Sequence, residues 1–220
     1  NDDLLIDTFD LIVGFKHTNL SKKQIRFPLW LIYYNYYNYD KNDNILTYIQ
    51  NCYNINVNKN KNLFSTIISR HDRGGQRKII CDELEKYGFI NSPGSFRNNA
   101  KEIGKTQKDK INYISNGIYN ICPENSKYEG YCTEKIFQAF EGGTIPLYWG
   151  VSFPEIDIIN KNKYCFCDIY NKNNLQESIK NVVLNKNKYI DGDLFTENAG
   201  EKINSFYSTL FENIKIILDK

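Results

Sequence analysis

Near the end of the chain, Ile203, Phe206, Tyr207, Leu210, Phe211, Ile214, Ile217 and Leu218 recur at three- and four-residue intervals. That period predicts an amphipathic helix whose apolar stripe packs on a core. Further upstream the period changes repeatedly. Short β-branched or apolar runs bounded by Gly, Pro or Asn predict strands at Asp10–Phe15, Leu63–Ser69, Ile118–Cys122, Thr144–Tyr148 and Tyr164–Asp168. Helical patterns fall between them. They cover Gln76–Tyr87, closed by Gly88 at its end, Lys110–Asn116, and Leu175–Leu184. Another covers Glu134–Glu141, with Thr133 as its cap and Gly142-Gly143 as its stop. Strands alternating with helices from Leu63 onward imply an α/β fold with a Rossmann-like sheet.

The region before Leu63 reads differently. Arg26-Phe27-Pro28-Leu29-Trp30 runs into an aromatic cluster that extends to Tyr39. Such a cluster could stack on bases or sugar rings, but it lacks interleaved Lys and Arg, so packing under a loop is favoured. Asp40–Lys61 is polar and rich in Asn, and predicts a linker near Asn56–Asn62. Asp40-Lys-Asn-Asp-Asn44 begins like a calcium loop, yet lacks its glycine and closing glutamate; it predicts a solvated turn.

Composition narrows the function classes. The 220 residues are 41% hydrophobic and 25% charged, with a formal charge of only +2. No field of one sign points to nucleic acid or an anionic membrane, so any anion site is local. Six scattered cysteines form no C-x-x-C pair and there are two His, which argues against zinc and for buried free thiols. No apolar stretch has the length of a membrane span. With no Met, even at position 1, the chain reads as a segment of a longer polypeptide. Asn19-Leu20-Ser21 is its one glycosylation sequon, too common a pattern to imply secretion.

Open α/β sheets bind ligands at the carboxyl ends of their strands, and two strand–loop–helix junctions are equipped for that. In Ser69-Arg70-His71-Asp72-Arg73-Gly74-Gly75-Gln76-Arg77, glycines permit close backbone approach. Arg70, Arg73 and Arg77 supply guanidinium donors, and the following helix is expected to offer free N–H groups to an anion. The spacing fits neither a Walker loop nor a dinucleotide fingerprint. The alternative is a merely solvated basic loop. The second junction is Cys122 to Lys135. Glu134 suits a helix N-terminus, but the Lys135 cation does not unless an anion sits beside it. The two junctions together suggest a diphosphate between two helix ends.

Glu124-Asn125-Ser126, Gly130-Tyr131, Thr133-Glu134-Lys135-Ile136 and Gly143-Thr144-Ile145-Pro146-Leu147-Tyr148-Trp149-Gly150 resemble, in order and spacing, the signature block of the alpha-1,3-fucosyltransferases. Weaker matches reach outward: Arg77, Gly94 with Asn98-Asn99, Tyr164–Asp168, Phe9-Asp10 with Gly14-Phe15, Arg26 with Pro28, and Glu197-Asn198. The resemblance implies a GT-B-like arrangement. Residues 1–56 would be the tail of a Rossmann-like acceptor domain, 57–196 a Rossmann-type donor domain, and 197–220 a C-terminal amphipathic helix. It also implies that Arg77 and Lys135 hold the GDP phosphates and that Glu134 holds the ribose hydroxyls. Asn125 and Tyr131 would line the donor site, and Lys110 falls where the family tends to keep a donor-site lysine; Arg70 is a donor-site candidate from the basic loop itself.

The expected activity is transfer of L-fucose from GDP-fucose to an N-acetylglucosamine hydroxyl of a glycan, with inversion and without a metal or other cofactor. A transferase using another nucleotide sugar, or a non-catalytic nucleotide-sugar-binding module, is the alternative. Asp191-Gly-Asp193 superficially resembles a metal motif of another glycosyltransferase fold, but reads as an ordinary turn. Pro123 departs from the aromatic residue usual before Glu-Asn-Ser, which bears on how guanine packs. The family's general base, a glutamate, would fall just upstream of Asn1, with Asp2, Asp3 and Asp7 as the nearest substitutes. The compartment follows the source: cytoplasm for a bacterial or viral chain, the Golgi lumen for a eukaryotic one. Membrane attachment would come through segments beyond these residues.

Overall fold

The computed structural model describes residues 8–16, 23–36 and 45–219. Asp2, Asp3, Asp7, the Asn19 sequon, Tyr37–Tyr39 and the Asp40–Asn44 turn lie outside the described residues. Two short strands, β1 (Ile12–Gly14) and β2 (Gln24–Arg26), pair in parallel. After them come α1 (Leu29–Tyr36) and α2 (Ile45–Val57). The main sheet then alternates with helices: β3 (Leu63–Ile67), α3 (Gln76–Leu84), β4 (Ile90–Asn91), α4 (Gln107–Ile114), β5 (Gly117–Ile121), α5 (Lys135–Glu141), β6 (Ile145–Tyr148) and β7 (Cys165–Phe166). A 3-10 turn, Lys161–Lys163, precedes β7, and α6 (Lys172–Leu184), α7 (Asn187–Ile190) and α8 (Ala199–Leu218) follow it.

All five strands of the main sheet are parallel, in the order β4-β3-β5-β6-β7. Parallel strands are covered on both faces, which is why β6 is buried along its whole length. On one face, Ile80, Cys81 and Leu84 of α3 join Leu175, Ile179 and Val182 of α6. On the other, Ile136, Phe137 and Phe140 of α5 meet Trp30, Leu31 and Tyr34 of α1 and Leu46, Ile49 and Tyr53 of α2. Trp30 stacks on Phe137 with centroids 4.1 Å apart. Of the aromatic cluster, Trp30 and Tyr34 are packed on one face of a helix rather than beneath a loop, while Tyr33 is exposed.

Within the Asn-rich stretch, residues 45–57 form α2, which was not expected from the sequence. Leu46, Ile49 and Tyr53 stand at three- and four-residue spacing, and burying that stripe against α5 outweighs the poor helix propensity of the asparagines around it. Even the expected linker is tied down. Asn56 donates to the Glu141 carbonyl at 2.6 Å, and the Lys61 ammonium donates to the carbonyls of Ser115 (2.8 Å) and Gly142 (3.1 Å). Two caps also differ from expectation. The α3 helix stops at Leu84, and Gly88 makes room for the Phe64 ring instead of ending the helix in a left-handed conformation. Nor does Thr133 cap α5: the N-cap is Glu134, and no side chain caps it.

A buried ion pair joins the early strands to the rest. Arg26 of β2 donates to both Glu155 carboxylate oxygens, at 2.8 and 2.9 Å, and lies over the Phe206 ring of α8. The six cysteines are free thiols, all buried except the half-buried Cys52.

Candidate functional site

Strand β3 is flanked by β4 on one side and β5 on the other, so the sheet order reverses there. Loops leaving the carboxyl ends of β3 and β5 diverge at this point and leave a crevice, the usual ligand position in an open α/β sheet. Both equipped junctions found in the sequence open into it.

After β3 the chain turns through Gly75, whose φ of 74° lies in the left-handed region, and enters α3. Gly94 approaches from the next loop so closely that a side chain there would run into the Ser69 carbonyl. The Asp72 carboxylate then accepts from the backbone N–H groups of Arg77 (3.0 Å) and Lys78 (2.9 Å). This corrects the expectation of a helix end open to an anion. Asp72 already takes two of the free donors, which leaves the side chains of this loop as the main source of anion contacts. Arg77 is 6% exposed and donates to the Asn125 side chain at 2.6 Å, linking the two loops. A cleft of about 440 Å³ is lined by Arg70, Arg73, Arg77, Asn125, Ser126 and Lys135 among others. Beside it, a pocket of about 40 Å³ brings Lys110 to Arg77 and Lys135, against Asn120 and Pro123.

The loop after β5 is wired internally. Glu124 is fully buried; its Oε1 accepts from the Thr133 N–H at 2.8 Å. Its Oε2 accepts from the Thr133 hydroxyl and the Lys135 ammonium, each at 2.8 Å. Lys135 also donates to the Thr133 Oγ1 at 2.7 Å. The cation at the start of α5 is therefore not misplaced for want of an anion, because Glu124 is that anion. Burial pushes the Glu124 carboxyl up, and the Lys135 ammonium and Thr133 donors pull against it. Burial would lower the Lys135 ammonium, but the Glu124 and Glu134 carboxylates outweigh it and hold the pKa above its ordinary value. Lys110 is lowered by burial, with the Glu134 carboxylate 4.0 Å away acting in the other direction.

Of the candidate residues, Arg70, Arg77, Asn125 and Lys135 share the cleft, and Lys110 joins from the small pocket. Glu134 borders them through Lys110, and Tyr131 packs edge-on against Phe15 at 5.4 Å. Sequence reasoning missed the two carboxylates, Asp72 and Glu124. Asp72 stands five residues ahead of Arg77 and Glu124 eleven ahead of Lys135, spacings that carry meaning only once the fold is known.

Residues 57–193, well over half of the chain, match glycosyltransferase family 10 (fucosyltransferase), C-terminal region. The chain belongs to that family. It is 26% identical, along its whole length, to an alpha-(1,3)-fucosyltransferase of Helicobacter pylori, and spans about half (53%) of that relative. A crystal structure of alpha-1,3-fucosyltransferase with GDP superposes with a TM-score of 0.66 at 23% identity, covering 93% of this chain and 70% of that one. Another, with GDP-fucose, gives 0.64 at 22% identity over the same shares. These likenesses establish the fold, a mixed α/β unit of the kind seen in fucosyltransferases.

In this family 10 chain, the weaker sequence matches acquire structural roles. Gly94 seats its loop on β3, Asn99 bridges Ser92 and Ile90, and Arg26 makes the buried pair with Glu155. Asp191 and Asp193 lie elsewhere, beside the 3-10 turn that precedes β7, which puts them at the amino ends of the strands. A larger cleft of about 770 Å³ opens there, where amides and hydroxyls are mixed with Lys163, Asp191, Asp193 and Glu197. Its Lys163 ammonium donates to the carbonyls of Ile190 and Asp191. Gly192 between the aspartates has a φ of 87°, as a turn requires. Among the described residues, no group of three or more His, Cys, Asp or Glu is placed to hold a metal ion. No helix among them is long and apolar enough to cross a membrane.

Proposed function

We propose that this chain carries the donor site of an inverting fucosyltransferase. That enzyme would move L-fucose from GDP-fucose to an N-acetylglucosamine hydroxyl of a glycan, with the alpha-1,3 linkage favoured. The observation that carries the reading is the convergence of Arg77, Lys110 and Lys135 at the crevice between β3 and β5, inside the segment matched to family 10. In such a transfer the acceptor oxygen bonds to the fucose anomeric carbon while the bond from that carbon to the diphosphate breaks. Negative charge then grows on the departing GDP. Cations fixed in a partly desolvated crevice stabilise that charge without reorganising, so no metal is required.

On this reading Arg77 and Lys135 receive the two phosphates, backed by Lys110, while Arg70 reaches the outer oxygens. Asn125 orients the Arg77 guanidinium. Glu134, free of any capping duty, accepts from the ribose hydroxyls, and Tyr131 closes the donor pocket. The acceptor proton goes to a carboxylate base, the glutamate that the family resemblance puts before the region matching Asn1 to Asp10. Calorimetry with GDP-fucose, GDP-mannose and UDP-sugars tests the donor assignment. GDP-fucose should bind at least about tenfold tighter than any UDP-sugar. Equal binding of the UDP-sugars would replace this reading with a transferase of another donor class.

A further inference from the structure

Lys135 has a flexible four-carbon stem and a compact charge, so its usefulness as a phosphate ligand depends on what holds the ammonium in place. An ammonium has three N–H donors. Here one goes to Glu124 Oε2 and one to the Thr133 Oγ1, at 2.8 and 2.7 Å. The third meets no protein acceptor among the described residues, and Lys135 lines both the cleft and the small pocket. Glu124 itself has little freedom. It is buried, its two oxygens take three hydrogen bonds, and its own carbonyl accepts from the Gln76 side chain at the start of α3.

We propose that Glu124 is the positioning residue of the donor site, a buried counter-charge that fixes the Lys135 ammonium and leaves its third N–H for the donor diphosphate. The proposal rests on the donor-site reading above and adds to it the group that prepares the lysine. It also accounts for three cations sharing one crevice, because carboxylates offset part of their mutual repulsion. Glu124 sits against Lys135 and Glu134 stands 4.0 Å from Lys110, while Asp72 and Glu124 both act on Arg77.

Removing the Glu124 charge should leave Lys135 facing Arg77 from α3, Lys110 from α4, the Cys122 and Cys132 thiols, and only Glu134 and Tyr131 as opposing groups. A desolvated lysine among cations loses its proton more readily. The test is an NMR titration of the lysine Cε signals, with Lys135 assigned by its loss in Lys135→Arg, in the wild type and in Glu124→Gln. The Lys135 midpoint should fall by at least about one pH unit in Glu124→Gln and hold in Glu124→Asp, which keeps the charge. Thr133→Val, a milder change should Glu124→Gln fail to fold, should lower it less. A midpoint in Glu124→Gln within about 0.3 units of wild type would overturn the proposal.

Calorimetry with GDP separates this outcome from failure of the donor-site reading. The wild type should bind GDP, and in Glu124→Gln the loss of GDP affinity with rising pH should begin at a lower pH than in wild type, by the same interval as the Lys135 midpoint moves. A wild type that binds no GDP sinks the donor-site reading, while the lysine titration still decides whether Glu124 holds Lys135.

Discussion

The two loops that meet at the crevice solve the same problem differently. The one after β3 exposes most of its charge: Arg70, His71 and Arg73 face solvent, and only Arg77 is buried, with a neutral amide as its side-chain partner. By contrast, the loop after β5 buries Glu124 and Thr133 and fastens Lys135 to both. Cations in water are screened and mobile, while those held by a buried partner keep their position and charge. The contrast ranks the residues of the site: Lys135 and Arg77 should matter most, the exposed arginines least.

The largest effect is expected at Lys135. Lys135→Ala leaves the Glu124 carboxylate buried without its cation, and should lower unfolding stability by about 3 kcal/mol as well as weakening GDP binding. Arg77→Ala leaves the Asn125 amide without its donor, while Asp72 and Glu124 keep their other hydrogen bonds, so its cost should fall mainly on GDP binding, by about 1.5–3 kcal/mol. Denaturant unfolding and calorimetry on the same samples separate the two. Equal stability losses would mean that the loops do not differ in wiring.

Smaller changes sharpen the ranking. Arg70→Ala and Arg73→Ala should each alter stability by less than about 0.5 kcal/mol and GDP affinity by less than about threefold at physiological salt. A loss as large as that of Arg77→Ala would move the phosphate contacts out to the exposed loop. The smallest expected effect is none: EDTA should leave GDP affinity unchanged, and restoration of a chelation loss by manganese would point to a metal site.

The alternation of strands and helices after Leu63 was legible because most elements carry their own period; the two-residue β4 is too short to carry one, and the order of the strands in the sheet was not legible. Helix α2 was not legible. Its stripe of Leu46, Ile49 and Tyr53 lies among asparagines, and only packing on α5 reveals that the stripe outweighs them. In the site, the cations were legible by type and spacing. Their partners were not, since Asp72 and Glu124 look like any other loop carboxylates until the fold buries one and aims the other at backbone donors. The same blindness made Thr133 look like a helix cap, when its hydroxyl serves Glu124 and Lys135.

Whether both loops grip one diphosphate is open to a double-mutant cycle on GDP affinity, with Arg77→Ala, Lys135→Ala and the double variant, all confirmed folded. Two cations on neighbouring oxygens of one ligand are energetically coupled, so the double loss should differ from the sum of the single losses by at least about 1 kcal/mol. Strict additivity, or a wild type that does not bind GDP, would contradict a shared diphosphate site at the β3–β5 crevice.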